Sequence, residues 1–226
     1  MTHFLVLPSP FLGSPAYAPL VAALRAGGDD ASVATHAAPP VAADLVAGWS
    51  TTAERIDDAV LVLVPHSNAG HIAPLVSDRR GGLPIVFMDA ALPGSSGASP
   101  LVPAGLRSRL ADLADSDGLL PAWTRWWPRE DLADVLPGDW FDRIDAIAPR
   151  VPLAYVDDTL DVPAGWEQGH CAYLAFGETY AEELVRVREL GWPVRVLGEA
   201  RHCHFLVGPE AVAGAVRGLT VQLTQR

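Results

Sequence analysis

The reading of this chain turns on Val60-Leu61-Val62-Leu63-Val64-Pro65-His66-Ser67-Asn68-Ala69-Gly70. Five apolar residues open it, three of them β-branched, which is the composition of a parallel strand buried on both faces. A tight turn carrying His66, Ser67 and Asn68 follows, and Ala69-Gly-His-Ile-Ala-Pro-Leu-Val76 begins a helix. Strand, sharp turn with a central serine, then helix is the layout of a nucleophile elbow, which lifts a hydroxyl clear of the sheet edge. Its usual spelling is Gly-x-Ser-x-Gly, because the residues two before and two after the serine are crowded. Here Pro65 and Ala69 hold those places, with Gly70 one further on. The competing reading is an ordinary buried strand whose turn happens to hold a serine.

Working outward, strands and helices alternate. His3–Leu7 reads as a first strand, Tyr17–Ala26 as a helix stopped at Gly27-Gly28, and Ala31–Thr35 as a second strand. Two short helical stretches, Ala42–Ala47 and Thr52–Asp58, lead into the elbow strand. Pro84–Met88 is the next strand; Val151–Val156 is extended; Cys171–Phe176 is a strand and Tyr180–Leu190 a helix. Pro193–Leu197 is the last strand and Glu210–Leu219 the terminal helix. Such alternation implies one parallel sheet covered on both faces, with function at the carboxyl ends of its strands. Residues 94–150 break the rhythm and read as an inserted helical cap. Its Trp123, Trp126, Trp127 and Trp140 either line an apolar pocket or join the cap to the body.

Composition narrows the function. At 226 residues, half of them hydrophobic, the chain suits a single domain, 1–226, with a sizeable core. A net charge of -11 argues against nucleic acid and anionic membrane as partners. All 16 basic residues are Arg, so Schiff-base chemistry and a lysine base are excluded. Cys171 and Cys203 make no disulfide framework, which points to a reduced, cytoplasmic setting. The N-terminus lacks the pattern of a signal peptide, no apolar run matches a membrane span, and no zinc-ligand spacing occurs. No metal and no cofactor is expected. The expected partner is a small-molecule substrate, and the Trp cluster offers a surface on which two copies could pair as a homodimer.

The C-terminal stretch Arg201-His202-Cys203-His204-Phe-Leu-Val-Gly-Pro209 together with the elbow resembles the α/β-hydrolase fold, esterases and hydroxynitrile lyases among its members, over nearly the whole chain. The resemblance implies a three-layer α/β-hydrolase fold: a mostly parallel sheet, helices on both faces and a helical cap. In that pattern a base histidine lies seven residues before a proline that opens the last helix. His202 meets the spacing and His204 does not. The commonest acid position, past the strand at Cys171–Phe176, falls on Thr179, with Glu178 as its neighbour. Other members of the fold, haloalkane dehalogenases for example, carry the acid at the end of the earlier strand, and Phe87-Met88-Asp89-Ala90 resembles that place. The implied triad is therefore Ser67, His202 and Asp89, with Glu178 and then Asp158 as alternatives. An Asp at position 89 could equally brace its loop by accepting backbone N–H bonds.

The resemblance also implies an oxyanion hole with Asn68 N–H as one donor. The second falls on Pro10, which has no N–H; either the loop shifts so that Phe11 donates, or the hole is incomplete. Three functions follow as expectations. The first is a serine hydrolase of an ester or thioester of a small, fairly apolar substrate. The second is a lyase or cyclase using Ser67 and His202 as general base, with a hydroxyl from Ser9. The third is a catalytically degenerate ligand-binding protein.

Overall fold

The computed structural model of the protein describes residues 1–35, 40–57 and 60–225. The first half of the chain alternates as expected: β1 (Thr2–Leu7), α1 (Ala18–Ala26), β2 (Asp30–Val33), α2 (Ala42–Glu54), β3 (Val60–Ser67), α3 (Ala73–Arg79) and β4 (Ile85–Ala90). An excursion follows, with β5 (Gly97–Pro100), α4 (Ala104–Ala111), α5 (Trp140–Ile147), the single-turn α6 (Leu153–Val156) and β6 (Thr159–Val162). The chain then resumes with β7 (Cys171–Phe176), α7 (Ala181–Glu189), β8 (Val194–Leu197) and α8 (Pro209–Thr224).

Six strands form one sheet in the order β2-β1-β3-β4-β7-β8, every neighbouring pair parallel. Parallel strands need crossovers, and these put helices on both faces, giving three layers. Helix α1 packs on α8, and α2 on α3. Both faces being covered explains the unbroken apolar runs: Leu61 to Val64 and Ile85 to Met88 are all buried. At about 25 cal/mol per Å² of apolar surface, each such Val, Leu or Phe contributes ~1.5–3 kcal/mol.

Three local expectations are corrected. The two helical stretches before β3 are one helix, Ala42–Glu54. Gly48 between them costs about 1 kcal/mol against Ala, but neighbouring Trp49 is fully buried and outweighs it. The Asp58 end of the second stretch lies outside the described residues. Val151–Val156 is not extended throughout: after a bridge from Leu119 to Pro152 it closes into α6. Finally, β5 and β6 pair antiparallel, Gly97 against Val162 to Pro100 against Thr159, closing the base of the excursion. Gly97–Pro100 carries no apolar pattern, and Thr159–Val162, though it alternates with Leu160 and Val162 buried, is only four residues long.

Candidate active site

Strand β3 runs further than its apolar run, ending at Ser67 itself. Ser67 has φ 56° and ψ -129°, and a short 3-10 turn over Asn68–His71 leads on to α3. The crowding that the elbow predicts is real but displaced by one residue. A Cβ at Gly70 would lie 1.9 Å from the Ala91 carbonyl oxygen, so glycine is required at 70, while Ala69 is accommodated, fully buried. Pro65 pairs with Leu7 of β1 inside the strand. The Leu63 N–H reaches across to Pro84 before β4, and the two-residue alternation turns the Pro65 nitrogen the same way. One ladder donor is lost there, and nothing in the turn is disturbed.

Strand β4 ends in a second irregularity. His66 pairs with Met88 and Ser67 with Ala90, which leaves Asp89 without a partner in the register. Its φ is +42°. Among the described residues, Ser67 and Asp89 are the two non-glycine residues with positive φ. Such conformations cost about 1–3 kcal/mol each and persist where the surroundings over-determine them, characteristically at functional sites. The Ala91 N–H donates to the Ser67 carbonyl at 3.1 Å and ties the two strained ends together.

The strain at Asp89 aims its carboxylate. Oδ1 accepts the Phe176 N–H from the end of β7 at 2.9 Å, and Oδ2 accepts the His202 Nδ1–H at 2.7 Å. Asp89 thus makes both contacts at once, one oxygen bracing a strand end and the other bonded to the imidazole. With Nδ1 engaged, Nε2 is the nitrogen left for proton transfer. The competing carboxylates lie elsewhere. Glu178 lines a separate depression with Arg201, and the Asp158 carboxylate accepts the N–H of Thr159. His204 packs its ring against Phe176 and fills the space over Gly208, outside the site.

Ser67 and His202 line the same cavity, of about 710 Å³. The hydroxyl of Ser67 is bonded to Tyr180 Oη at 3.4 Å rather than to the imidazole; the Tyr180 ring in turn lies 5.7 Å from that of His202. Either oxygen can donate in that bond, and proton transfer to Nε2 requires the serine O–H to point at the imidazole. Catalytic bonds that are long or misdirected in an empty site commonly tighten on substrate.

Behind His202 lies a polar rod that sequence reasoning did not find. The Ser9 N–H donates to Tyr17 Oη at 2.8 Å, so the tyrosine proton goes to His66 Nδ1, also at 2.8 Å. His66 Nε2–H then donates to the His202 carbonyl at 2.9 Å. Because a carbonyl only accepts, one tautomer satisfies the whole rod. The His66 ring stacks on His202, centroids 4.5 Å apart, and Phe205 stacks on Tyr17. Burial, and secondarily the His202 charge, hold His66 well below the usual imidazole pKa. It is a neutral wedge between β3 and the base loop. A histidine inside an otherwise apolar strand was the available signal; Tyr17 and Tyr180 gave none.

The oxyanion side is built differently. Asn68 follows Ser67 at the start of the 3-10 turn. Its side chain is committed to the excursion: Nδ2 donates to the Leu101 carbonyl at 2.5 Å, and Oδ1 accepts the Tyr155 hydroxyl at 2.6 Å. Pro10 has no N–H. The Phe11 N–H is turned toward Ser9 Oγ at 3.4 Å, a long contact. Phe11 lines the cavity; Ser9, 1 % exposed, is not among the lining residues.

The rest of the wall is mostly apolar. Trp123, Trp126 and Trp127 line it, whereas Trp140 sits in α5 under the Arg143 guanidinium. The tryptophans also pack on each other and on Phe11, so they both form the pocket and hold the excursion down. Among the described residues, Asp131 and Glu183 are the acidic ones on the wall, and no Arg lines it. His71 lines it too, its Nδ1 without a partner among the described residues. Burial, then the Arg186 charge, push its pKa down to about 4, so the ring is neutral. Both cysteines are free and buried, with thiol pKa values raised by burial, that of Cys171 to about 12. Among the described residues, no cluster of His, Cys, Asp and Glu could hold a metal ion, and no helix is long and apolar enough to cross a membrane.

No family model matches the chain, and no curated protein matches it in sequence. Solved structures do. Polyneuridine aldehyde esterase superposes with a TM-score of 0.78 at 15% identity, covering 97% of this chain and 99% of the other. An extracellular α/β-hydrolase from a Paenibacillus species gives 0.75 at 14% identity, covering 99% of both chains. Tomato methylketone synthase I, complexed with 2-tridecanone, gives 0.70 at 14% identity, covering 98% of both. At such identities the likeness concerns the fold, and it covers nearly the whole chain: this protein has the α/β-hydrolase fold.

Proposed function

We propose that the protein is a serine hydrolase of a neutral, mostly apolar ester or thioester, with Ser67 as nucleophile, His202 as base and Asp89 as the acid that orients it. The observation that carries this reading is the Asp89–His202 bond, made from the strained end of β4 next to the equally strained end of β3 that holds Ser67. The strain is maintained where acyl transfer needs it. Polyneuridine aldehyde esterase, by its name, and the Paenibacillus hydrolase share the fold, which supports the hydrolase class. A wall with two carboxylates and, among the described residues, no Arg repels anionic substrates and suits uncharged ones.

In this reading, Ser67 Oγ attacks the acyl carbon while its proton passes to His202 Nε2. Asp89 stabilises the resulting imidazolium through Nδ1, and the Asn68 N–H faces the developing oxyanion. Collapse expels the leaving group, which takes the proton from Nε2–H. Water, deprotonated by the same nitrogen, then releases the acid. A fluorophosphonate probe should label Ser67 in the folded protein, and p-nitrophenyl acyl esters should be hydrolysed by the unchanged protein but not by Ser67→Ala. Absence of any adduct on folded protein would sink this reading.

One observation favours a second reading, a lyase or cyclase with Ser67 and His202 as general base. Neither Pro10 nor Phe11 presents a free N–H, and abstraction of a proton needs the oxyanion donors less than acyl transfer does. Methylketone synthase I shares the fold. Vigorous ester turnover that disappears in Ser67→Ala excludes this alternative.

A further inference from the structure

The loop after β7 is where this fold commonly carries its acid, yet Asp89 already occupies that role from β4. What the β7 loop brings to the site is Tyr180. Gly177, at φ +59°, is strained for any side chain, and a Cβ there would lie a tight 3.0 Å from the Ala200 carbonyl oxygen. That tight turn returns the chain so that Tyr180, just ahead of α7, leans over Ser67 and His202. Its hydroxyl has Ser67 Oγ as its polar partner among the described residues. Burial raises its pKa, so it stays protonated and remains a donor.

Topology decides which oxygen it serves. The loop that ordinarily completes an oxyanion hole follows β1, on one side of β3. Tyr180 and His202 arrive from β7 and β8, on the other side, beyond β4. On the His202 side of a tetrahedral centre attached to Ser67 Oγ lies the leaving oxygen, the atom that collects the proton from Nε2.

We propose, resting on the hydrolase reading above, that the Tyr180 hydroxyl is a catalytic hydrogen-bond donor to the leaving oxygen of the ester, working beside His202. As the acyl carbon–oxygen bond breaks, the departing alkoxide takes its proton from His202 Nε2–H. Tyr180 donates a hydrogen bond to that oxygen while negative charge builds on it and keeps its own proton throughout. The site is thereby suited to esters of ordinary alcohols, whose alkoxides leave poorly, and not only to activated esters.

The experiment compares an ethyl ester and a p-nitrophenyl ester of the same medium-chain acid, using the full chain, Tyr180→Phe and Ser67→Ala. The Phe variant keeps the ring packed on His202 and removes only the donor. Its kcat/KM should fall about 10–100-fold on the ethyl ester, the range for a hydrogen bond to a charged oxygen, and less than about 3-fold on the p-nitrophenyl ester. An equal fall on both, the signature of a packing role, overturns the inference, as does no fall on either. If the unchanged protein turns over neither ester, or Ser67→Ala turns them over equally well, the hydrolase reading fails and takes the inference with it. Activity that requires Ser67 but shows the same ethyl-to-nitrophenyl ratio in Tyr180→Phe defeats the inference alone.

Discussion

The two flanks of Ser67 are built on different terms. On the β4 side the key side chains are held at both ends: Asp89 between Phe176 and His202, and His66 between Tyr17 and the His202 carbonyl. On the β1 side the donors are backbone N–H groups, one abolished by Pro10 and one turned onto Ser9. The difference teaches where such a site tolerates a change of spelling. A side chain can reach its partner from either of two strands, as Asp89 reaches His202 from the end of β4. A backbone donor has no such choice, since its direction is fixed by φ and ψ and is lost when proline stands there. In the proposed mechanism the acid-base flank is therefore the better-built half and the oxyanion flank the weaker one.

The strongest way to break this comparison is at the better-built flank. Asp89→Asn keeps an acceptor for Phe176 N–H but presents the wrong partner to His202 Nδ1. Its kcat should fall by roughly 10⁴, as for a triad left with the wrong imidazole tautomer. Glu178→Gln, away from the site, should stay within about 2-fold; steady-state ester kinetics on both variants compares them directly, and the reverse ranking would reassign the acid.

Next in size is the pH dependence of stability. The folded pKa of His71 is lowered to about 4 from an ordinary value near 6.5, and His66 is shifted the same way. Below pH ~6.5 the unfolded chain takes up protons that the folded chain refuses, so stability is full above that pH and drains as pH falls toward 4. For His71 alone the loss amounts to about 3 kcal/mol. Thermal melts from pH 7.5 to 4 should show it, and His71→Gln should flatten part of the slope; an unchanged slope means the ring is solvated.

Tyr17→Phe cuts the rod behind the base, stranding the Ser9 N–H and His66 Nδ1 together. About 1–3 kcal/mol for each buried orphan sets the expected loss, measured by urea unfolding. A neutral result would show the rod to be incidental. The smallest effect tests the weak flank: Pro10→Ala restores a backbone donor. If that flank limits the rate, kcat should rise, up to about 10-fold, against a ceiling of 10²–10³ for a well-placed donor. A fall would mean that Pro10 shapes the loop more than it starves the hole.

Much of this layout was legible beforehand, and the reasons differ residue by residue. Ser67 stood out because a buried parallel strand followed at once by a small-residue turn leaves few other readings. His202 was separable from His204 by its distance from Pro209, and that spacing reflects the loop needed to bring the chain back over the sheet. Asp89 could only be ranked narrowly ahead of Glu178, since both sit at strand ends and strand order is not written in either stretch. The hairpin of β5 and β6 was missed because Gly97–Pro100 has no alternating pattern, and its pairing partner lies some sixty residues away.

What the chain alone determined was local: which segments are apolar enough to be buried strands, where turns are small enough to bend sharply, and that no lysine chemistry is available. Only the tertiary structure decided which acid faces the imidazole, that Tyr17 and His66 wire the His202 loop to the first loop, and that Tyr180 stands over Ser67. Those are meetings of residues up to 136 positions apart, settled by strand order and by the bulge at Asp89. Hydrophobic periodicity records which face a residue turns inward, but not which distant residue it finds there.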